Sequence, residues 1–376
     1  MFKRLLFQLH WLSGISAGLV LAVMGLTGGV YAFEEDLLRL LNPAVTQVSP
    51  GNPAQPALEP AELLARIAVN RQYVSSLTLS GSAQDAARIG FMLPVHGSSK
   101  KKFDLQYVNP YTGALLGKPR GEEFFRLMLD LHRSLALGDA GKALTGASAL
   151  ALVFMCISGL YLRWPRKGAW SWRSWLVVNT QRQGRSLLAD LHAVSATWLL
   201  ALYLLAALTG LYWSYDWYHG WVNRVAAPAQ KAAQAPQAAE KGRPAASKES
   251  SGKEVDLHAV WRGFKAEVPA YGKLIMLLPS KPGQPVRALY LDEASPHRYA
   301  NSTLLIDSQT GDIVKREPYS EKPAGGKFIA SIYALHSGSY WGNTGMLAMM
   351  LAGFLLPLFA VTGWMMYVAR RRASKV

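Results

Sequence analysis

The sequence predicts an α-helical integral membrane protein, with four transmembrane helices in a duplicated bundle and two small α+β domains outside the membrane. Four apolar runs, near residues 12–33, 143–163, 193–213 and 345–368, are each close to the roughly 20 residues that cross a bilayer. The spacing of histidines and glycines repeats along the chain, which indicates an internal duplication. The stretches between the apolar runs alternate in polarity as strands do.

The repeated spacing joins each of four histidines to a later glycine. It is 18 residues for His10/Gly28 and His192/Gly210, and 27 residues for His132/Gly159 and His336/Gly363. The stretches VNPYTGALL (108–116) and IDSQTGDIV (306–314) also match in position and type, each with Thr-Gly at a turn. Each half is therefore predicted to consist of a span, an outside domain and a second span.

The order of segments follows from these patterns. We expect transmembrane helix 1 at 1–33, the first outside domain at 34–123, an interfacial segment with transmembrane helix 2 at 124–165, a basic cytoplasmic loop at 166–186, transmembrane helix 3 at 187–218, the second outside domain at 219–330, an interfacial segment with transmembrane helix 4 at 331–369, and a cytoplasmic tail at 370–376. The low-complexity stretch 226–253 is expected to be a disordered linker. The Gly138–Gly141 cluster predicts a bend before span two.

Each outside domain is predicted to contain one helix and several strands. In the first, 60–71 has helical spacing, and 74–80, 87–93 and 102–110 read as strands. In the second, 256–268 reads as a helix, and KLIMLLPS, PVRALYLD and STLLIDSQTGDIV read as strands.

The net charge of +16 reflects the orientation of the spans in the membrane and does not indicate a nucleic-acid-binding surface. Basic residues cluster before span one, between spans two and three, and in the tail, and these clusters contain no acidic residue. Since basic flanks orient spans with that side in the cytoplasm, both termini are predicted to be cytoplasmic. The only cysteine, Cys156, lies within a span, so a C-x-x-C-H haem attachment and an all-cysteine iron–sulfur cluster are excluded.

The four repeated histidines are the candidate site. A histidine at the edge of a bilayer is costly without a partner. The topology places His10 and His192 near the cytoplasmic face and His132 and His336 near the outer face. A two-fold axis would pair them in this way, and two facing imidazoles are a complete axial set for haem iron. We therefore predict two haem b groups with these four residues as axial ligands. A proton relay, zinc binding and hydrogen-bonded packing remain open alternatives.

Further candidates surround these histidines. Arg126 and Arg133 are predicted propionate partners of the outer haem and Arg185 of the inner one, with interfacial snorkelling as the alternative. His219, Trp217 and Tyr218 lie where an outside substrate could meet the outer haem, although an aromatic belt also explains them. The glycines that follow the histidines could admit a flat macrocycle or simply allow close helix packing. His96, His258 and His297, in the soluble parts, are expected at the surface.

The chain resembles the PepSY-associated transmembrane family. The resemblance covers nearly the whole chain and is carried by Leu-His at 9–10, 131–132, 191–192 and 335–336, by Thr-Gly at 27–28, 209–210 and 362–363, by Ser-Gly at 158–159, and by the two Thr-Gly turns. It implies a multi-pass protein of the bacterial inner membrane with periplasmic PepSY-like domains. It is most similar to the members that act as siderophore-iron (ferrioxamine) reductases.

This resemblance implies a di-haem b-type reductase. Electrons from an unidentified cytoplasmic or membrane donor would pass outward to a periplasmic ferric siderophore, which releases iron on reduction to Fe(II). Three alternatives stay open: a non-enzymatic PepSY regulator or sensor, a haem electron-transfer protein with another periplasmic acceptor, and a transporter. The expected partners are the ferric siderophore, the lipid bilayer and the electron donor, without nucleic acid.

Overall fold

The structure, a computed structural model, describes residues 1–49, 55–67, 73–94, 101–164, 171–226 and 254–373. Its helices are α1 (Phe2–Tyr31), α2 (Glu34–Leu41), α3 (Pro43–Thr46), α4 (Pro60–Arg66), α5 (Glu122–Ser134), α6 (Gly138–Arg163), α7 (Trp172–Leu176), α8 (Gly184–Ser214), α9 (Asp216–Ala226), α10 (Leu257–Glu267), α11 (Ala324–Ser337) and α12 (Gly342–Ala373). Its strands are β1 (Val74–Ser80), β2 (Ala87–Pro94), β3 (Lys101–Val108), β4 (Leu115–Gly117), β5 (Lys273–Leu277), β6 (Val286–Leu291), β7 (Ser302–Ile306) and β8 (Ile313–Glu317). The predicted linker 226–253 lies, except for Ala226, outside the described residues.

Four of the described helices are long and apolar enough to cross a membrane. They are Phe2–Tyr31, Gly138–Arg163, Gly184–Ser214 and the helical stretch Ser339–Arg372. Large apolar side chains such as Leu19, Ile157 and Val361 point outward from these helices, because lipid rather than water is their surrounding. The four predicted spans are confirmed, and the chain is a multi-pass membrane protein.

The chain divides into two compact units, and the first is the membrane bundle. It comprises Met1–Glu34, Glu123–Asn223 and Ile332–Val376. Helix α1 packs on α6 and α12, and α8 packs on the same two helices, so α1 and α8 lie across the bundle from each other. Where α1 crosses α12, a Cβ on Gly25 would lie 2.4 Å from the carbonyl oxygen of Gly353. Small residues permit such a backbone approach between membrane helices.

One sharp break in the backbone separates each of the two short histidine-bearing helices, α5 and α11, from the span that follows it. Between α5 and α6, Leu135, Ala136 and Gly138 have φ values of 51°, 57° and 60°. Between α11 and α12, Gly338 and Gly342 have φ values of 80° and 64°. Positive φ reverses the chain within a few residues, at a steric cost wherever the residue is not glycine. The first break falls at the start of the predicted Gly138–Gly141 bend.

The second unit, Glu35–Glu122 with Arg224–Ser331, is built on one antiparallel sheet. The strand order is β4-β3-β2-β1-β5-β6-β7-β8, so each half of the chain contributes four consecutive strands. Strand β1 pairs with β5 over Ser76↔Leu277 to Ser80↔Lys273. The sequence predicts these strands in two separate domains. Pairing β1 with β5 covers two edges that would otherwise expose unpaired backbone groups.

Helices α4 and α10 share one hydrophobic core on this sheet. Leu63, Val260 and Phe264 are fully buried, together with Ile89 from β2 and Met276 from β5. The alternation along β5 places every second side chain in the core, as expected for a sheet covered on one face. The apolar residues of both halves therefore stabilise a single unit.

The two matching turns have the same construction. The side chain of Asn109 accepts a hydrogen bond from the Tyr111 backbone at 2.8 Å, and that of Asp307 accepts one from the Gln309 backbone at 2.8 Å. The glycine of each turn, Gly113 or Gly311, has a φ near the left-handed value, at 76° and 80°. The polar side chain replaces a backbone turn contact and the glycine allows the reversal, which explains why both sequences keep these residue types.

Candidate functional site

The structure brings His132 and His336 together. Their ring centres lie 6.0 Å apart, with the ring planes at 59° to each other. His132 is on α5 and His336 is on α11, and the two are called the α5–α11 histidine pair. The two helices are far apart in sequence. Two imidazoles that bind one metal ion from opposite sides, each at about 2 Å, have ring centres about 6 Å apart. The observed separation fits a single shared ion.

His10 and His192 form a second pair, the α1–α8 histidine pair. They lie on the two helices that face each other across the bundle. His192 is close enough to His10 for the charges of the two rings to interact. The His192 ring is held against Phe359 of α12, with ring centres 5.1 Å apart in an edge-to-face contact. Aromatic packing of this kind restricts the orientation of the imidazole.

In the α1–α8 pair, each imidazole uses Nδ1 for a hydrogen bond to a hydroxyl group. Nδ1 of His10 lies 2.8 Å from Oγ of Ser158, and Nδ1 of His192 lies 2.8 Å from Oγ1 of Thr362. Both hydroxyls donate their own proton at 2.7 Å to a carbonyl one turn back in their helix. A hydroxyl has only one proton to donate, so each oxygen must accept from the histidine.

In the α5–α11 pair, Nδ1 is directed at backbone carbonyl oxygens. Nδ1 of His132 lies 2.8 Å from the carbonyl oxygen of Met24. Nδ1 of His336 lies 3.1 Å from that of Ala206 and 2.9 Å from Oγ1 of Thr209. A carbonyl oxygen can only accept, so both Nδ1 atoms carry the proton.

All four histidines therefore have the same tautomer. With the proton on Nδ1, the neutral ring presents an unprotonated Nε2 with its lone pair available. A metal-bound histidine ordinarily donates its other ring N–H to a carbonyl, carboxylate or hydroxyl in this way. The arrangement fits four nitrogen ligands in two pairs, and a two-ligand set suits haem iron, whereas zinc in proteins takes three or four protein ligands. Among the described residues no group of three or more His, Cys, Asp or Glu could hold a metal ion.

The glycines that follow the histidines lie against imidazole rings. A Cβ at Gly28 would lie 2.7 Å from the His132 ring, and Cβ atoms at Gly159 and Gly210 would lie 3.3 Å from His10 and His336. At Gly363 the same atom would have no neighbour within 4 Å. Three of these glycines thus make room for a histidine ring from another helix.

One buried donor near His10 has no partner among the described residues. Nε1 of Trp11 is inaccessible to solvent and makes no hydrogen bond there, while its ring packs on Tyr367 with centres 4.8 Å apart. A buried N–H without an acceptor is costly, so this atom fits an acceptor supplied by a bound group. The propionates of a haem are acceptors of that kind.

The predicted propionate partners differ in position. Arg133 follows His132 directly and is close enough for its charge to act on that ring. Arg126 lies on the same helix α5 and is exposed. Arg185 is exposed in the first turn of α8, seven residues before His192. For Arg133, this proximity agrees with its predicted place beside the α5–α11 pair.

The predicted substrate residues lie in α9, directly after α8. Trp217 is 61% exposed, and its ring contacts that of Tyr218 at 5.6 Å. His219 packs on Tyr212 at 4.4 Å. A series of ring contacts continues from Tyr212 to Trp213 at 5.8 Å and from Trp213 to His336 at 5.4 Å. The aromatic surface of α9 is therefore linked by packed rings to the α5–α11 pair.

Three hydroxyl residues of the site are absent from the residues predicted from the sequence. Ser158, Thr209 and Thr362 each precede one of the repeated glycines and contact a histidine Nδ1. Their signal was the hydroxyl-Gly dipeptide itself, which recurs with the histidines at 27–28, 158–159, 209–210 and 362–363. The hydroxyl member supplies an acceptor at Ser158, Thr209 and Thr362, and the glycine supplies space for a ring at Gly28, Gly159 and Gly210.

The fold and the site together define a multi-pass membrane protein with two histidine pairs in its bundle and one sheet unit. The family model described as PepSY-associated TM region matches residues 7–370. The chain belongs to this family, as the resemblance in the sequence implied. No curated protein matches the chain.

Proposed function

We propose that the protein is an inner-membrane di-haem b-type reductase that passes electrons from the cytoplasmic side to a periplasmic ferric siderophore. The observation that carries this proposal is the set of four histidines in two pairs, each with Nδ1 bonded to an acceptor and Nε2 unprotonated. His10 and His192 would hold one haem, and His132 and His336 the other. When bound, haem iron changes between Fe(III) and Fe(II), and so carries one electron at a time.

The remaining residues would position the ligands and the substrate. The Nδ1 acceptors keep each Nε2 free of a proton, and the glycines at 28, 159 and 210 leave room for the rings. Trp11 and Arg133 are suited to bind propionates. The aromatic surface of α9, with Trp217, Tyr218 and His219, would contact the ferric chelate on the side where Trp213 meets His336. One electron leaves the protein for each Fe(III) reduced to Fe(II).

We further propose that the bundle is duplicated, with both termini cytoplasmic and the sheet unit periplasmic. The hydrogen bonds support the duplication, because each half joins its first histidine to the second span and its second histidine to the first span. The basic clusters at 1–9, 163–185 and 370–376 support the topology.

Haem content tests the first part of the proposal. The purified full-length protein should contain two haem b groups per chain in a pyridine haemochrome assay, and each of H10A, H192A, H132A and H336A should lose one or both. H258A is the matched control, since its side chain is 60% exposed in the sheet unit. A wild-type protein without haem would contradict the proposal and favour a regulator anchored in the membrane.

Reoxidation tests the substrate. Dithionite-reduced protein should be reoxidised by ferrioxamine B without oxygen, with Fe(II) appearing in a ferrozine assay at one per electron lost. The gallium(III) complex has the same shape and charge but accepts no electron, so it should leave the reduced spectrum unchanged. If the ferric complex also leaves it unchanged, the protein is an electron-transfer protein with another acceptor.

A further inference from the structure

The two histidine pairs differ in the groups that accept their Nδ1 protons. Side-chain hydroxyls of Ser158 and Thr362 accept from the α1–α8 pair. In the α5–α11 pair each Nδ1 reaches a backbone carbonyl, of Met24 or Ala206, and His336 also lies 2.9 Å from the Thr209 hydroxyl. The hydroxyl acceptors belong to the side chains of two residues, whereas the carbonyl acceptors are present whatever side chain stands there.

The hydroxyl groups of Ser158 and Thr362 do not need the histidines as hydrogen-bond partners. Serine and threonine in membrane helices commonly donate to the carbonyl one turn back, and Ser158 and Thr362 already do so. It is the Nδ1–H groups of His10 and His192 that need an acceptor, because an unpaired N–H within the bundle is costly. Both hydroxyl residues are 2% exposed, so water does not readily replace them.

Thr27 provides an internal comparison. It stands before Gly28, as Thr362 stands before Gly363, and it is also buried. Its hydroxyl donates to the carbonyls of Val23 and Met24 in its own helix, at 2.6 and 3.3 Å. His132, the ring that lies against Gly28, donates instead to the Met24 carbonyl. The hydroxyl of the Thr-Gly dipeptide therefore accepts from His192 at Thr362, whereas at Thr27 it accepts from no histidine.

We propose that Ser158 and Thr362 are positioning residues that hold His10 and His192 with Nε2 unprotonated and set the reduction potential of the α1–α8 site independently of the α5–α11 site. The proposal rests on the haem function proposed above. An imidazole that donates Nδ1–H to an acceptor is a more basic ligand, and a more basic ligand stabilises Fe(III) relative to Fe(II). Loss of the acceptor removes this stabilisation, so the potential of that site rises.

The test compares variants of matched shape in the full-length protein. Thr362→Val keeps the shape and removes the hydroxyl, whereas Thr362→Ser keeps the hydroxyl and removes the methyl group. Ser158→Ala removes the other acceptor, and Thr27→Val removes a hydroxyl that accepts from no histidine. Each protein is assayed for haem per chain and titrated for its two midpoint potentials.

In T362V and S158A one midpoint potential should shift to a more positive value while the other stays in place, and T362S should keep the wild-type values. T27V should change neither potential. Loss of one haem in T362V that T362S restores supports the proposal equally. Two full haems with unchanged potentials in T362V and S158A, or the same shift in T27V, would overturn it. A wild-type protein without haem would instead reject the proposed function.

Discussion

Gly28 of α1 lies directly against the imidazole of His132, which comes from α5. A Cβ at this position would lie 2.7 Å from both Cε1 and Nδ1 of the ring. A Cβ does not approach a non-bonded atom this closely, so either the ring or the helix must move. The glycine is needed here because a ring from another helix occupies the place of a side chain, and not because of its backbone conformation.

Gly28→Ala should therefore displace His132 and lower the occupancy of the haem proposed for the α5–α11 site. Overpacking of this kind costs about 1–3 kcal/mol. The measurement is haem per chain with the low-temperature absorption spectrum, which distinguishes the two sites. Gly363→Ala is the control, since its Cβ would meet no protein atom within 4 Å, and it should leave both of the proposed haems in place. Equal effects of the two variants would show that helix packing alone explains the glycines.

Gly311 in the sheet unit should be far less tolerant of alanine than Gly117. Both have a left-handed φ, 80° and 82°, which costs an alanine roughly 1–2 kcal/mol. A Cβ at Gly311 would also lie 2.1 Å from the carbonyl oxygen of Ala259, whereas at Gly117 it would meet nothing within 4 Å. Hydrogen exchange of the β1 and β5 amides should show faster opening in G311A than in G117A. If the amides of G311A and G117A exchange at the same rate, the close approach of Gly311 to Ala259 of α10 does not affect the stability of the sheet.

Glu35 should stabilise the sheet unit at neutral pH and lose this effect in acid. Burial alone would raise the pKa of its carboxyl, but Lys273, Arg88 and Arg298 outweigh burial and lower the pKa below the ordinary 4.5. The carboxylate oxygens lie 3.7, 3.6 and 3.9 Å from these three cations. A lowered pKa means that the unfolded state takes up the proton first. The contribution is therefore complete above about pH 4.5 and is lost as the pH falls through the folded value.

Glu35→Gln should lower the opening free energy of the sheet by about 1 kcal/mol at pH 7 and low salt, because half-exposed pairs contribute little each. The difference from wild type should shrink below pH 4.5 and in high salt. Asp36→Asn, which breaks one contact with Arg298 at 3.6 Å, should have a smaller effect. A loss in E35Q that is independent of pH would point to packing instead of charge.

His297 is buried in the sheet unit, and its predicted surface position is wrong. Its Nδ1 accepts from the Tyr299 backbone at 3.3 Å and its Nε2 lies 2.9 Å from Oγ of Ser331. Ser331 donates to the Lys327 carbonyl at 2.7 Å and lies 3.2 Å from the Tyr319 hydroxyl. The proton is thus on Nε2, which is opposite to the four bundle histidines, so His297 has no free Nε2 for a metal.

His297 should make the sheet unit sensitive to mild acid. Burial lowers the pKa of its ring from the ordinary 6.5. Since the unfolded state binds the proton first, stability falls as the pH drops from 6.5 toward the folded pKa. His297→Phe should cost about 1–3 kcal/mol at pH 7 by leaving polar partners unpaired, and should flatten this part of the pH profile. His258→Ala, at an exposed position, should leave the profile unchanged in hydrogen exchange of β7 amides.

The local sequence predicted most of the elements. Strand 74–80 was predicted with the observed bounds, and 87–93 and 102–110 differ from β2 and β3 by one or two residues at an end. Alternation and apolar run length are local properties, so they can be read without knowing the partners. The pairing of β1 with β5 is not local. It depends on which edges meet after each half has folded, and no residue in either strand specifies the other.

The sequence by itself determined the four spans, the two matching turns and the four histidines at repeated spacings, because each is set by residue type and interval along the chain. Only the tertiary structure decided that His132 and His336 lie 6.0 Å apart, that Ser158 and Thr362 accept the Nδ1 protons of His10 and His192, and that the strands of both halves form one sheet. These relationships join residues more than a hundred positions apart. They arise from which helix faces and strand edges must cover one another, and that is settled by packing, not by sequence interval.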